Sequence, residues 1–184
     1  METDKKIVGV FPFGGVNPGT QMEIKRWDID KFAEAVNEIS KNNFVILFQG
    51  REPSEEITSE FQLNENVVIK TMDNDILTVC DVFLSGDTGP LHIAAAFGVN
   101  TVSLFGPSDP NLLKPLSTET TKNILMWKKP ECSPCYTPAT AADRGNPKYW
   151  QGNRFICHTG THICMKSISV EEVTASINKL TLNK

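Results

Sequence analysis

Asp81-Val82-Phe83-Leu84-Ser85-Gly86-Asp87-Thr88-Gly89-Pro90-Leu91-His92-Ile93-Ala94-Ala95-Ala96-Phe97-Gly98 is the stretch whose reading decides the fold. The run Asp81-Val82-Phe83-Leu84 reads as a buried strand. Small residues from Gly89 to Gly98 read as a helix, and Thr101-Val102-Ser103-Leu104-Phe105 as the next strand. The polar cluster Gly86-Asp87-Thr88-Gly89 therefore falls where a strand ends and a helix begins. Free backbone N–H groups and the positive end of the helix dipole face outward there, which suits phosphate. Asp87 or Thr88 is expected to cap the helix, with Pro90 in its first turn. Gly89 leaves room for a ligand against the backbone. His92, one turn in, is expected to point at the same spot. The plainer reading is a capped strand–helix junction with no ligand at all.

Working outward, Phe105-Gly106-Pro107-Ser108-Asp109-Pro110 is a second Gly/Pro loop at the end of the following strand. Ligands of open α/β sheets bind at the carboxyl ends of strands, and two adjacent polar strand ends fit that rule. Further strands are expected over 7–13, 44–48, 66–69 and 122–127. A helix is expected over 29–41, capped by Asp28, with Phe32, Ala35, Val36 and Ile39 on one face. Shorter helices are expected over 53–61 and 73–80, the latter capped by Asp73 or Asn74. Ser169 is expected to cap a last helix with Val170, Val173, Ile177 and Leu180 on one side. Strands alternating with helices imply a parallel sheet covered on both faces. The expectation is one α/β domain over 1–184, a Rossmann-like doubly wound sheet with an irregular cysteine-containing segment at 128–167. The loop after the first strand, Phe13-Gly14-Gly15-Val16-Asn17-Pro18-Gly19-Thr20, lacks G-x-G-x-x-G, which weighs against a dehydrogenase.

Composition narrows the classes. The chain has 184 residues, 40% hydrophobic and 22% charged, enough for a proper core. A net charge of −4 gives no basic surface for nucleic acid. No apolar run approaches the roughly 20 residues of a membrane-spanning helix. The N-terminus lacks the cleavage pattern of a signal peptide, so a cytoplasmic protein, or a domain cut from one, is expected.

Two further loops carry chemistry. Asn17-Pro18-Gly19-Thr20-Gln21-Met22-Glu23-Ile24-Lys25-Arg26-Trp27 leaves the first strand at the same sheet edge as Asp87. Its two adjacent cations and a hydroxyl suit a diphosphate, and the loop is expected to be exposed; the alternative is a solvated surface loop with Trp27 packed on the next helix. Gln49-Gly50-Arg51-Glu52-Pro53-Ser54-Glu55-Glu56 follows the second strand. A carboxylate there suits ribose hydroxyls, or simply complements a helix dipole.

Taken in order, Gly19-Thr20 with Lys25-Arg26-Trp27, Phe48-Gln49-Gly50, Asp87-Thr88-Gly89-Pro90-Leu91-His92-Ile93-Ala94-Ala95-Ala96 and Leu104-Phe105-Gly106-Pro107 resemble glycosyltransferase family 9. These are the ADP-heptose:lipopolysaccharide heptosyltransferases of Gram-negative bacteria. The resemblance implies the donor-binding C-terminal half of a two-domain GT-B enzyme, with the acceptor domain and its general base missing from this chain. It implies a nucleotide-sugar donor, ADP-heptose-like, and a glycan or lipid-linked acceptor in lipopolysaccharide or related assembly. It implies that Thr20, Gln21 and Lys25 meet the donor phosphates, Glu55 or its neighbour Glu56 the ribose, and Asp87 the sugar hydroxyls. Thr88 and Gly89 then offer amides to the diphosphate, and His92 supports that site. A helix N-terminus and a lysine stabilise the leaving diphosphate without a metal or other cofactor.

Cys132-x2-Cys135, Cys157 and Cys164 remain, with His158 and His162 beside them. In a cytosolic protein such spacing points to metal before disulfide, so a zinc knot of these four cysteines is one reading. The irregular spacing favours the other, a segment draped on the body with reduced thiols or a labile disulfide. Cys80 reads as core. A nucleotide-binding module without catalysis, stabilised by zinc, is the alternative to the glycosyltransferase.

Overall fold

A computed structural model describes residues 4–14, 16–17, 19–50, 54–118 and 120–182. In chain order the elements are β1 (Ile7–Phe11), β2 (Val16–Asn17), β3 (Thr20–Gln21), a 3-10 turn (Glu23–Lys25), α1 (Ile29–Ser40), β4 (Phe44–Gln49), α2 (Glu55–Glu60), β5 (Val67–Thr71), α3 (Asn74–Leu77) and β6 (Val82–Gly86). There follow α4 (Gly89–Ala96), β7 (Asn100–Phe105), α5 (Pro110–Leu113), β8 (Asn123–Trp127), α6 (Pro138–Ala142), β9 (Trp150–Gln151), β10 (Arg154–Phe155), α7 (Ile163–Lys166) and α8 (Val170–Leu182).

Six strands form one sheet in the order β5-β4-β1-β6-β7-β8, every pair parallel. The chain builds outward from β1 in one direction and from β6 in the other. The order therefore reverses between β1 and β6, a switch point at whose carboxyl ends open α/β sheets bind their ligands. Side chains alternate across the sheet as strand geometry requires. Val8, Val10, Val45, Leu47, Val82, Leu84, Val102 and Leu104 enter the core shared with α1 and α8. Phe44, Ile46, Phe48, Phe83 and Phe105 enter the opposite core, with Leu77 of α3 and Leu91 and Ala94 of α4. Both faces are thus covered, which is why the strands read as nearly continuous apolar runs.

Local chemistry explains most boundaries and corrects several expectations. β1 stops at Phe11 instead of residue 13, because Pro12 has no N–H for the ladder. Asp73 does cap α3, accepting from Asp75 N at 2.7 Å and Ile76 N at 3.3 Å. Asp28 starts α1 through its carbonyl, which accepts from Phe32 N, but its carboxylate makes no cap bond. Ser169 and Glu172 form a reciprocal capping box at α8, Glu172 N donating to Ser169 Oγ and Ser169 N to Glu172 Oε2. Arg51, Glu52 and Pro53 lie outside the described residues, and α2 begins at Glu55.

The 128–167 segment is more ordered than its sequence suggests. Trp150 and Phe155 form a small third core with Met22 and Ile24, and Tyr136 and Tyr149 pack against it. β10 pairs with β3 through Arg154 and Gln21, and Gln21 N donates to Asn153 O at 2.9 Å. The segment is therefore seated on the loop that follows β1, at the carboxyl edge of the main sheet.

Candidate functional site

The site grows from the switch point between β1 and β6. β6 runs buried to Gly86 and delivers Asp87 at its carboxyl end. The 3-10 turn brings the β1 loop back across that end. A Cβ on Gly86 would lie 3.0 Å from the Lys25 carbonyl oxygen, so glycine permits this backbone approach. Lys25 Nζ then lies 2.6 Å from Asp87 Oδ2, with the two side chains only 10% and 8% exposed. Ser108 Oγ, from the loop after β7, donates to the same oxygen at 2.8 Å. The ring of Tyr136 faces Lys25, its centroid 4.6 Å from Nζ. Asp87 Oδ1 is left towards His92, whose Nε2 is 3.9 Å away on the first turn of α4. A buried ion pair is tolerated when further hydrogen bonds satisfy its remaining polar groups, and Ser108 supplies one.

The start of α4 differs from the expected cap. Neither Asp87 nor Thr88 accepts from the helix N–H groups with its side chain. The Thr88 hydroxyl is 2.9 Å from Ser85 Oγ, and Asp87 is committed to Lys25 and Ser108. Side-chain capping is absent where a ligand could satisfy the donors instead. A Cβ on Gly89 would meet nothing within 4 Å, so the backbone there borders open space.

The other expected residues divide. Lys25 was expected on an exposed loop and is buried, because Asp87 draws its ammonium inward and Tyr136 covers it. Arg26 turns away: its Nη1 donates to Glu56 Oε2 at 2.9 Å, its Nη2 lies 2.7 Å from Glu56 Oε1 and the guanidinium lies over the Phe13 ring, so it does not double Lys25. Glu55, one residue before, is exposed on the first turn of α2. Thr20 and Gln21 form β3, Thr20 buried and Gln21 exposed. Lys25, Asp87, Thr88, Gly89 and His92 are thus brought together, while Thr20, Gln21 and Glu55 stand on neighbouring elements. Sequence reasoning missed Ser108 and Tyr136. Ser108 had a signal, its place in the second Gly/Pro loop; Tyr136, in an aperiodic segment, had none.

All five cysteines are free. Desolvation pushes the Cys80 thiol up to about 12 and the Cys164 thiol up to about 12. It pushes Cys135 up to about 11, with the nearby Cys157 and Cys132 adding to the rise. At Cys157 desolvation is outweighed by hydrogen bonds from the Thr159 hydroxyl and the backbone of His162, Thr159 and Gly160, which hold its thiol below the ordinary value. His162 Nε2 is engaged with Ile24 O at 2.7 Å, and His158 packs on the Tyr149 ring. Among the described residues no three His, Cys, Asp or Glu side chains are placed to hold a metal ion. Asp28-Ile29-Asp30 and Asp73-Asn74-Asp75 both have Asp-x-Asp spacing, but each is a helix start, and Asp73 spends its carboxylate on a cap. No helix among them is long and apolar enough to cross a membrane.

Comparison with known proteins agrees with this architecture. The profile of glycosyltransferase family 9 (heptosyltransferase) matches residues 2–143. Lipooligosaccharide heptosyltransferase 2 of Campylobacter jejuni serotype O:6 is 26% identical over 98% of this chain and 53% of its own length. The structure of Escherichia coli ADP-heptose lipopolysaccharide heptosyltransferase II superposes with a TM-score of 0.63 at 18% identity, over 99% of this chain and 48% of that one. The family 9 glycosyltransferase of Veillonella parvula gives 0.63 at 21% identity, over 100% and 48%. These superpositions establish a shared α/β fold, and the chain spans about half the length of the curated relatives it matches. The profile covers well over half of the sequence, and on that ground the chain belongs to glycosyltransferase family 9, the heptosyltransferase family.

Proposed function

We propose that this chain binds an ADP-heptose-like nucleotide-sugar at the β1/β6 crevice and is the donor-binding half of a glycosyltransferase in lipopolysaccharide or related assembly. The observation that carries the reading is the buried Lys25–Asp87 pair beside an uncapped helix start whose backbone borders open space at Gly89. Thr88 and Gly89 offer N–H groups to the diphosphate. Lys25 supplies the compensating charge, moving from Asp87 towards phosphate as the donor enters. Asp87 Oδ1 accepts from sugar hydroxyls, with His92 beside it. Thr20 and Gln21 border the phosphates from β3, and Glu55 takes the ribose from the first turn of α2.

Glycosyl transfer breaks the bond between the anomeric carbon and the diphosphate, and negative charge grows on the departing oxygen. Preorganised amides and an ammonium stabilise that charge in a site partly shielded from water. The reading assigns this to Lys25 and the α4 start, with no metal. Acceptor binding and the general base belong to the remainder of the enzyme, and the donor chemistry is assigned to the cytoplasm.

Titration calorimetry with ADP and with ADP-heptose, each with and without excess chelator, tests the proposal. The expected result is binding of both, tighter for ADP-heptose, unchanged by chelator. Absence of binding at millimolar nucleotide would refute it. Binding abolished by chelator would refute the metal-free part, and equal affinities would leave a nucleotide-binding module.

A further inference from the structure

The cysteine segment has no role in the reading above, yet it reaches the middle of the site. Two consecutive amides, Cys135 N and Tyr136 N, donate to Pro107 O at 3.0 and 2.9 Å. Ser133 Oγ donates to Gly106 O at 2.5 Å. Ser108 and Tyr136 form a parallel bridge. Three bonds and a bridge thus grip the Gly106-Pro107-Ser108 loop. The grip is anchored behind: the Tyr136 ring meets Phe155 edge-on at 5.0 Å, inside the small core built on Met22 and Ile24. Its two forward products are Ser108 Oγ on Asp87 Oδ2 and the Tyr136 ring on Lys25 Nζ.

We propose that residues 133–136 act as a clamp on the donor site, in which Ser108 is a positioning residue that sets selectivity for the sugar of a nucleotide-sugar through Asp87, and Tyr136 is a positioning residue for Lys25. The proposal rests on the donor reading of this crevice. Asp87 Oδ2 receives two donors, Lys25 and Ser108, so the carboxylate plane is fixed and Oδ1 stays turned to the α4 start. Without the Ser108 hydroxyl the carboxylate is free to rotate and chelate Lys25 with both oxygens. Oδ1 is then withdrawn from a sugar hydroxyl, and Lys25 is held harder against leaving for phosphate. The Tyr136 ring walls the ammonium on its other side. A face-on aromatic ring attracts the cation and keeps it short of open solvent. The clamp therefore acts on the sugar through Ser108 and Asp87, and through Tyr136 on Lys25, which serves the diphosphate common to ADP and ADP-heptose.

The test compares Ser108→Ala, Ser108→Thr, Tyr136→Leu and Tyr136→Phe in the full chain. The first readout is the ratio of ADP-heptose to ADP affinity. Ser108→Ala is expected to lower it about tenfold, the size of one charged hydrogen bond, whereas Tyr136→Leu is expected to weaken both nucleotides and leave the ratio within about twofold of wild type. Ser108→Thr keeps the hydroxyl and Tyr136→Phe keeps the ring, and both are expected to stay within about twofold of wild type. If Ser108→Ala does not fold, Ser108→Cys takes its place, similar in shape with a weaker donor. The second readout needs no ligand: the Lys25 ammonium resonance in protein carrying 15N-lysine, assigned with Lys25→Arg. It is expected to be ring-shifted in wild type and Tyr136→Phe and to move in Tyr136→Leu. An unchanged affinity ratio in Ser108→Ala overturns the proposal. So does a Lys25 resonance that is the same in wild type and Tyr136→Leu. If wild type binds neither nucleotide, the donor reading falls, and with it the selectivity assigned to the clamp. The ammonium resonance then still decides whether Tyr136 positions Lys25.

Discussion

Replacing Lys25 with Met removes the ammonium and keeps most of the side-chain volume. What remains is the Asp87 carboxylate, 8% exposed, with the Ser108 hydroxyl on Oδ2 and the His92 ring at 3.9 Å. Removing one partner of a buried ion pair costs about 3–5 kcal/mol, because the other charge stays buried and uncompensated. The Ser108 bond and the open edge towards His92 place this case at the low end, about 3 kcal/mol. In a chain of this size that lowers the melting midpoint by roughly 6–12 °C. Asp87→Asn strands the ammonium instead and is expected to cost about 2 kcal/mol, since Lys25 retains the Tyr136 ring. The double variant removes both charges and is expected within about 1 kcal/mol of wild type, because no charge is left buried without its partner and the carboxamide oxygen introduced by Asp87→Asn still accepts from Ser108. Urea unfolding of the four proteins gives a coupling of about 4 kcal/mol if the pair is as buried as the geometry indicates. A Lys25→Met cost below about 0.5 kcal/mol, with no coupling, would show Lys25 to be an ordinary surface lysine, and the charge argument for the site would fail.

Other expectations follow from single contacts. Gly89→Ala meets open space, so the melting midpoint should hold or rise by about 1–3 °C through helix propensity, while ADP affinity drops at least several-fold if the backbone there seats the phosphates; unchanged affinity would move the phosphates elsewhere. Asp87→Ala should erase the preference for ADP-heptose over ADP while ADP affinity persists or rises, since a negative charge beside the diphosphate is gone; equal loss for both nucleotides would count against the sugar contact. Iodoacetamide at pH 8 should label Cys157 ahead of Cys80, Cys135 and Cys164, because its thiol is held low while burial holds theirs high; mass mapping that finds Cys80 first would contradict this. The Glu172 carboxyl is held below the usual range, first by Lys128 and then by Ser169 N. Its folded value is depressed, so its contribution is present above the ordinary carboxyl range near 4.3 and is lost as pH falls through the folded value. The stability gap between wild type and Glu172→Gln should therefore close in acid and not at neutral pH.

How much of this was legible in the sequence depended on length and period. The six main strands are five or six residues of apolar run, long enough to show. The strand-to-helix junction at Asp87 was legible because Gly, Asp, Thr and Pro each have a positional reason to be there. What Asp87 does was not: its partners Lys25 and Ser108 are 62 and 21 residues away. Only the assembled sheet brings three loops to one edge. Capping was therefore assigned to Asp87 and Thr88 by local rules, but distant partners took the Asp87 carboxylate and the neighbouring Ser85 took the Thr88 hydroxyl. The 128–167 segment failed for a different reason. Its strands have two residues and its helices four or five, too short for any period to appear. Its aromatic residues act through contacts with Met22 and Ile24, far away in sequence. The burial of Lys25 was invisible for the same reason, since it depends on Tyr136 in that segment.

The central claim is that a diphosphate sits on the α4 start beside Lys25. Amide chemical shifts of the 15N-labelled chain during titration with ADP test it most directly. The account predicts the largest changes at Asp87, Thr88, Gly89 and Lys25, saturating together with a single affinity. The largest changes at the α8 cap around Lys128 and Glu172, or no changes at millimolar ADP, would contradict it.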